Sequence, residues 1–214
     1  RKIEFIGNSI TCGYGVEGEN EKCPFEYSTE NQYYGYAAIT ARELDAQCFV
    51  VARSGIGVYR NYNGDLKGDQ MTMPVVYPYT QFGGKGEKWN FKNYRPDVVC
   101  INLGTNDTST EPYDTKLLFK RYREFYETVR SHYPSAKIVL LSGPMLEKDG
   151  KALTDLKNTL DRVKKESKDS QLYRFDFTPE DGSMGYGCDY HPSLKRQAYM
   201  AAELTEFLRV LMEW

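Results

Sequence analysis

The 214-residue chain lacks any apolar run close to the ~18 residues needed to cross a bilayer, so no transmembrane helix is expected. It also lacks an excess of one charge. Its 28 Lys and Arg face 30 Asp and Glu, a net of −2, without the basic stripe that nucleic-acid binding needs. Five cysteines (Cys12, Cys23, Cys48, Cys100 and Cys188) form no C-x-x-C pair, which argues against a zinc site. Their odd number argues against a full disulfide framework, and if one bridge forms, Cys12 and Cys23 are the candidate pair. Histidine is scarce, with His132 and His191 alone, and no internal repeat or signal peptide is evident. Tyrosine, by contrast, is abundant at 18 copies. Its flat apolar face and polar tip suit half-buried packing, and also contacts with sugars or partners.

Short continuous apolar runs at Ile3–Ile6, Cys48–Ala52, Val98–Leu103, Ile138–Leu141 and Tyr173–Phe177 predict five strands covered on both faces. Helical stripes alternate with them. One is Tyr34, Ala37, Ala41 and Leu44; a second is Leu118, Tyr122, Phe125 and Val129; a third is Leu153, Leu156, Leu160 and Val163. A last helix opens at Pro192 or Ser193, turning Leu194, Ala198, Ala201, Leu204, Leu208 and Leu211 inward. The alternation predicts an α/β fold: a flavodoxin-like three-layer αβα sandwich on a five-stranded, mostly parallel sheet, with residues 1–214 as one domain. Residues 54–96 break the pattern, carrying no long helical stripe. So long an irregular connection is usually functional or disordered, and Tyr59, Tyr62, Tyr77, Tyr79 and Trp89 favour order.

Ligands of open α/β sheets sit beyond the carboxyl ends of the strands. "GNSITCGYG" with Ser9 follows the first strand, and "RSGIGVYR" with Gly55 and Gly57 follows the second. "INLGTNDTS" with Asn106 and Asp107 ends the third, and "GCDYHPS" with Asp189 and His191 precedes the last helix. A hydroxyl, a flexible amide, a carboxamide and an imidazole therefore reach one rim, which are the parts for acyl transfer. Serine is a weak nucleophile until a base takes its proton, and histidine is the usual base. The oxyanion of the tetrahedral intermediate needs preorganised donors. The amides of Ser9 and Gly55 and the Asn106 side chain are the candidates. Between the two histidines, His132 lies in a helix tail, where it answers the helix dipole, which leaves His191 as the base. Each part has a duller reading: Ser9 as a helix cap, the glycines as tight turns, Asn106-Asp107 as an Asx turn. Their combination, in this order, outweighs those readings.

In "IEFIGNSITCGYG", "SGIGVYRNY", "CINLGTND" and "GCDYHPS" the chain resembles the SGNH (GDSL-type) hydrolase superfamily, and most of all its carbohydrate esterase family 2. The resemblance runs over essentially the whole chain. It implies Ser9 as nucleophile, His191 as base, and Ser9, Gly55 and Asn106 as the oxyanion hole. There are two departures. Asn8 replaces the usual aspartate of Gly-Asp-Ser, and Asp189 lies two positions before His191, where the superfamily usually spaces Asp-x-x-His. The base is then oriented either by Asp189 or, in a Ser–His dyad, by a backbone carbonyl. The resemblance further implies removal of acetyl groups from plant cell-wall polysaccharides such as acetylated xylan or mannan. An acetylated glycan would be the partner, with no nucleic acid or membrane and no metal or organic cofactor. Trp89 and Tyr190 are the expected sugar-stacking rings. It implies a secreted or periplasmic location, and an N-terminal β-sandwich domain in full-length relatives that these residues do not include. The alternatives are a thioesterase or lipase-like acyl hydrolase, a non-catalytic glycan-binding module, and a flavodoxin-like FMN protein.

Overall fold

The computed structural model describes residues 1–214. Five strands, β1 (Lys2–Gly7), β2 (Gln47–Ala52), β3 (Val98–Asn102), β4 (Lys137–Ser142) and β5 (Leu172–Asp176), form one sheet in the order β2-β1-β3-β4-β5. Every neighbouring pair is parallel. The strand order reverses between β1 and β3, which is where a crevice opens at the carboxyl edge of such sheets. The helices are α1 (Ser9–Cys12), α2 (Tyr36–Glu43), α3 (Met73–Val76), α4 (Thr105–Thr108), α5 (Thr115–His132), α6 (Lys151–Ser167) and α7 (Leu194–Met212).

Strand alternation sorts the core into two halves. On β3, Val98 and Cys100 face a core shared with α2 and α7, while Val99 and Ile101 face one shared with α5 and α6. The central strand β3 is wholly buried, as its unbroken apolar sequence requires. The edge strands correct the expectation of cover on both faces: β2 runs from exposed to half-buried, and β5 is buried only at Leu172.

The stripes on α5 and α6 are buried as the periodicity predicts, and Asp114 caps α5 by accepting from the amides of Lys116 and Leu117. Tyr34 lies outside α2, in a short 3₁₀ turn, and is 40% exposed. The stripe on α7 starts in a different phase. Leu194 and Ala198 are exposed, while Gln197 and Met200 are fully buried. Gln197 is inside because it joins two other elements. Its side chain donates to the Ile10 carbonyl at 3.0 Å and accepts from the Tyr36 amide at 2.8 Å, so α7 is bound directly to α1 and α2.

The irregular crossover between β2 and β3 holds one short helix, α3, and is otherwise loop. It is anchored at Tyr59 and Tyr77, both buried in the α5 and α6 half of the core. No long helix covers β1 and β2 on that side. The aromatic segment 77–94 lies there, with Trp89 and Tyr94 stacked on Phe49 of β2 at 5.5 and 4.9 Å.

The disulfide differs from the expected pair. Cys23 is joined to Cys188, 165 residues away, while Cys12 ends α1 as a free thiol. The loop carrying Cys23 reaches over the turn before α7, and proximity in the fold outweighs proximity in sequence.

Candidate active site

Ser9 owes its place to its neighbour. Asn8 is fully buried in an extended conformation. Its side-chain oxygen accepts from the Ile10 amide at 3.1 Å, and its carbonyl accepts from Thr11 and Cys12, each at 3.0 Å. These bonds turn the chain out of β1 into α1, with Ser9 first in the helix. They need an oxygen acceptor and not a negative charge, so asparagine suffices at this position. As the first helical residue, Ser9 has an amide with no intrahelical acceptor.

His191 follows a 3₁₀ turn, Cys188–Tyr190, and its Nε2 lies 2.9 Å from the Ser9 hydroxyl oxygen. Its Nδ1 lies 3.1 Å from the Asp189 carbonyl and 3.2 Å from the Cys188 carbonyl. Carbonyls only accept, so Nδ1 carries the proton and donates, which leaves Nε2 free to accept from Ser9. Burial holds the imidazole pKa below its ordinary 6.5, with the two carbonyls and the Asp189 charge acting partly against that. The ring is therefore neutral near pH 7.

The Asp189 carboxylate does not orient the ring. It accepts from the Tyr14 hydroxyl at 2.5 Å, while Asp189 meets His191 through its main chain. With one residue between them, and Asp189 in the left-handed region at φ 51, it is the carbonyl that reaches Nδ1. Of the two arrangements open from sequence, the geometry is that of a dyad. Tyr14 also covers the imidazole, its ring 4.1 Å from that of His191, with Phe25 stacked behind it at 4.7 Å.

Gly55 and Asn106 reach the same cavity. Gly55 is left-handed at φ +78, which favours glycine, and a Cβ there would meet nothing within 4 Å, so its backbone faces open space. Its amide makes no backbone hydrogen bond. The Asn106 amide group donates to the Ile56 carbonyl at 2.8 Å, which leaves its second N–H for a ligand.

Sequence reasoning missed what holds these donors. Asp107, fully buried, accepts from the consecutive amides of Val58, Tyr59 and Arg60 at 2.8–3.2 Å. Burial pushes its pKa up to about 6 against those donors, so it is ionised at neutral pH. Arg60 returns the bond, donating to the Asp107 carbonyl and to the carbonyls of Thr110 and Pro112. Loop and helix are thus stitched in both directions, and Gly55 is fixed relative to Asn106. An "ND" after a buried strand was the available signal; it reads as an Asx turn until the partner loop is known.

The cavity measures about 630 Å³. Two tyrosines at its edge are largely exposed: Tyr190 from the histidine turn at 60% and Tyr62 from the long crossover at 56%. Met145 and Leu146 add an apolar wall. Trp89, expected here, lies elsewhere, among residues packed beside β2. The crossover reaches the rim only near residues 54–62 and then folds back along the sheet, so Tyr62 holds the place expected for Trp89.

Residues 5–198 match the GDSL-like Lipase/Acylhydrolase family. The cellulase/esterase CelE of Acetivibrio thermocellus is 42% identical over the whole chain, which spans 26% of that protein. An acetylxylan esterase / glucomannan deacetylase of Cellvibrio japonicus is 31% identical, again over the whole chain and 58% of its own length. The chain thus spans about a quarter to three fifths of these relatives. A family two carbohydrate esterase from Clostridium thermocellum, solved in complex with cellohexaose, superimposes with a TM-score of 0.93 at 41% identity, over all of this chain and 65% of that one.

Proposed function

The chain belongs to the GDSL-like lipase/acylhydrolase family, alongside carbohydrate esterases of family two, and from that premise we propose that it is a serine esterase removing O-acetyl groups from plant cell-wall polysaccharides or their oligosaccharides, of the acetylxylan or acetylmannan type. The observation that carries the reading is the 2.9 Å contact between Ser9 Oγ and an unprotonated His191 Nε2.

In this reading the Ser9 oxygen attacks the acetyl carbonyl as Nε2 takes its proton, and the imidazolium that forms is steadied by the Cys188 and Asp189 carbonyls at Nδ1. The oxyanion accepts from the Ser9 and Gly55 amides and the free Asn106 N–H. One such donor contributes about 3–4 kcal/mol, or roughly 10²–10³ in rate. Nε2 then returns the proton to the sugar oxygen as it leaves. Water, deprotonated by the same nitrogen, releases acetate and restores Ser9. Tyr62 and Tyr190 stack on sugar rings at the mouth. The 214 residues act as one catalytic domain, and a glycan substrate of plant cell walls fits a secreted or periplasmic protein.

Acetate release from acetylated xylan, glucomannan and acetylated monosaccharides tests the proposal, with Ser9→Ala as the blank. Acetate from at least one glycan, absent in Ser9→Ala, is expected. Faster hydrolysis of 4-nitrophenyl octanoate than of the acetate would favour a lipase-like or thioesterase enzyme instead.

A further inference from the structure

At Nδ1 the base is held by main chain alone, so whatever holds that main chain helps to set its position. Asp189 and Tyr190, the two residues before His191, are both left-handed without being glycine, at φ 51 and 59. Both side chains are exposed, and non-glycine residues keep such angles only where their surroundings enforce them. Asp189 is held by the Tyr14 hydroxyl, and the Gly187 amide closes the turn on the His191 carbonyl at 2.8 Å. The remaining holds are at Cys188, which is fully buried: its amide donates to the Gly15 carbonyl at 3.0 Å, its carbonyl accepts from His191, and its sulfur is bonded to Cys23. The space around the bridge is cleared for it. A Cβ on Gly18 would lie 2.3 Å from one sulfur and 2.7 Å from the other. Cys23 itself makes no hydrogen bond to the imidazole; its sulfur is engaged in the bridge.

We propose that the Cys23–Cys188 disulfide is a positioning bond for His191, so that reducing it lowers turnover while the fold persists. This rests on the reading of His191 as the base. Reduction by a dithiol transfers two electrons and two protons: the S–S bond opens to two thiols, and the reductant closes to its own disulfide. Cys188 then keeps only its backbone bonds, the left-handed turn loses its covalent anchor, and the carbonyls at Nδ1 are no longer fixed under the ring.

The test compares oxidised and dithiothreitol-treated protein. Thiol titration in denaturant should rise from the three free cysteines, Cys12, Cys48 and Cys100, to five. With 4-nitrophenyl acetate, kcat should fall about tenfold or more with KM changed less than about twofold, far-UV circular dichroism unchanged, and activity restored on reoxidation. Cys23→Ser should show the same loss without treatment and ignore the reductant, while Cys48→Ser should behave as wild type. Because the chain has two histidines, a second readout is independent of catalysis: the His191 C2–H proton resonance should shift or broaden on reduction while that of His132 does not. An oxidised protein with five free thiols, an unchanged kcat and His191 resonance after reduction, or a loss that follows unfolding in circular dichroism would each overturn the proposal. A wild-type protein that never hydrolyses the ester would refute the esterase reading instead, and the resonance would still report on the bridge.

Discussion

His191 and His132 sit in surroundings that match in most respects. Each ring lies on an aromatic one, His191 on Tyr14 at 4.1 Å and His132 on Phe91 at 3.6 Å. Each has nearby a tyrosine that donates to a carboxylate, Tyr14 to Asp189 and Tyr77 to Glu4. Burial lowers the pKa of both imidazoles. The difference is at the ring nitrogens. His191 has a serine hydroxyl at one and two carbonyls at the other, with Gly55 and Asn106 lining the same cavity. His132 packs among the rings of Phe91, Tyr77 and Tyr133. A depressed imidazole beside a carboxyl group therefore does not tell the two apart; the hydroxyl and the oriented tautomer do, and the proposed reaction uses both.

Exchanging the histidines breaks the comparison hardest. His191→Ala and Ser9→Ala should each lower kcat for 4-nitrophenyl acetate by at least about 10⁴-fold, because nucleophile and base act as a unit, while His132→Ala should stay within about twofold. In wild type, kcat/KM should fall on the acid side with an apparent pKa below 6.5, since the ring must be neutral to accept the proton and its pKa is lowered. A limb above 6.5 would contradict that. Next in size, Asn106→Ala should lose roughly 10²–10³ in kcat by removing one oxyanion donor.

The silent region has its own signature, in stability. Burial holds Glu4 up at about 7, against an ordinary 4.5, despite the hydrogen bond from Tyr77. Between those values the folded chain keeps a proton that the unfolded chain has released, so stability should fall as pH rises through the window. Glu4→Gln should remove that fall, roughly 3 kcal/mol by urea denaturation between pH 5 and 8, and leave kcat alone. Smaller again, Tyr62→Ala and Tyr190→Ala should raise KM for acetylated oligosaccharides by about 2- to 10-fold, the worth of about 0.5–1.5 kcal/mol for an aromatic contact, with kcat on the small ester little changed. Trp89→Ala should leave both constants as they are. Asp189→Asn should cost well under tenfold, because the carbonyl that meets His191 survives the change.

Elements whose logic is local were readable in the sequence. The stripes on α5 and α6, the unbroken run of β3 and the serine before α7 follow from period and capping chemistry, and each is where the pattern puts it. Loop ends after strands were readable too, because parallel strands deliver them to one rim: Ser9, Gly55, Asn106 and His191 line a common cavity. What escaped depends on partners far along the chain. Trp89 and Tyr62 belong to one aromatic-rich segment, and nothing in their neighbours says which ring turns toward the rim. Cys23 finds Cys188 through the path of a loop, and Asp107 reads as a turn residue until three amides from another loop converge on it. Gln197 looks wrong for a buried face until Ile10 and Tyr36 supply its partners.

That glutamine has a consequence for folding. Ser9 and His191 are 182 residues apart, and the brace that seats the first against its surroundings comes from the final helix. Until α7 docks, the Tyr36 amide and the Ile10 carbonyl lack their side-chain partner, so the turn that carries Ser9 is completed only by a segment 187 residues away. Seating Ser9 and docking α7 are therefore one long-range closure, which local structure at either place does not achieve by itself.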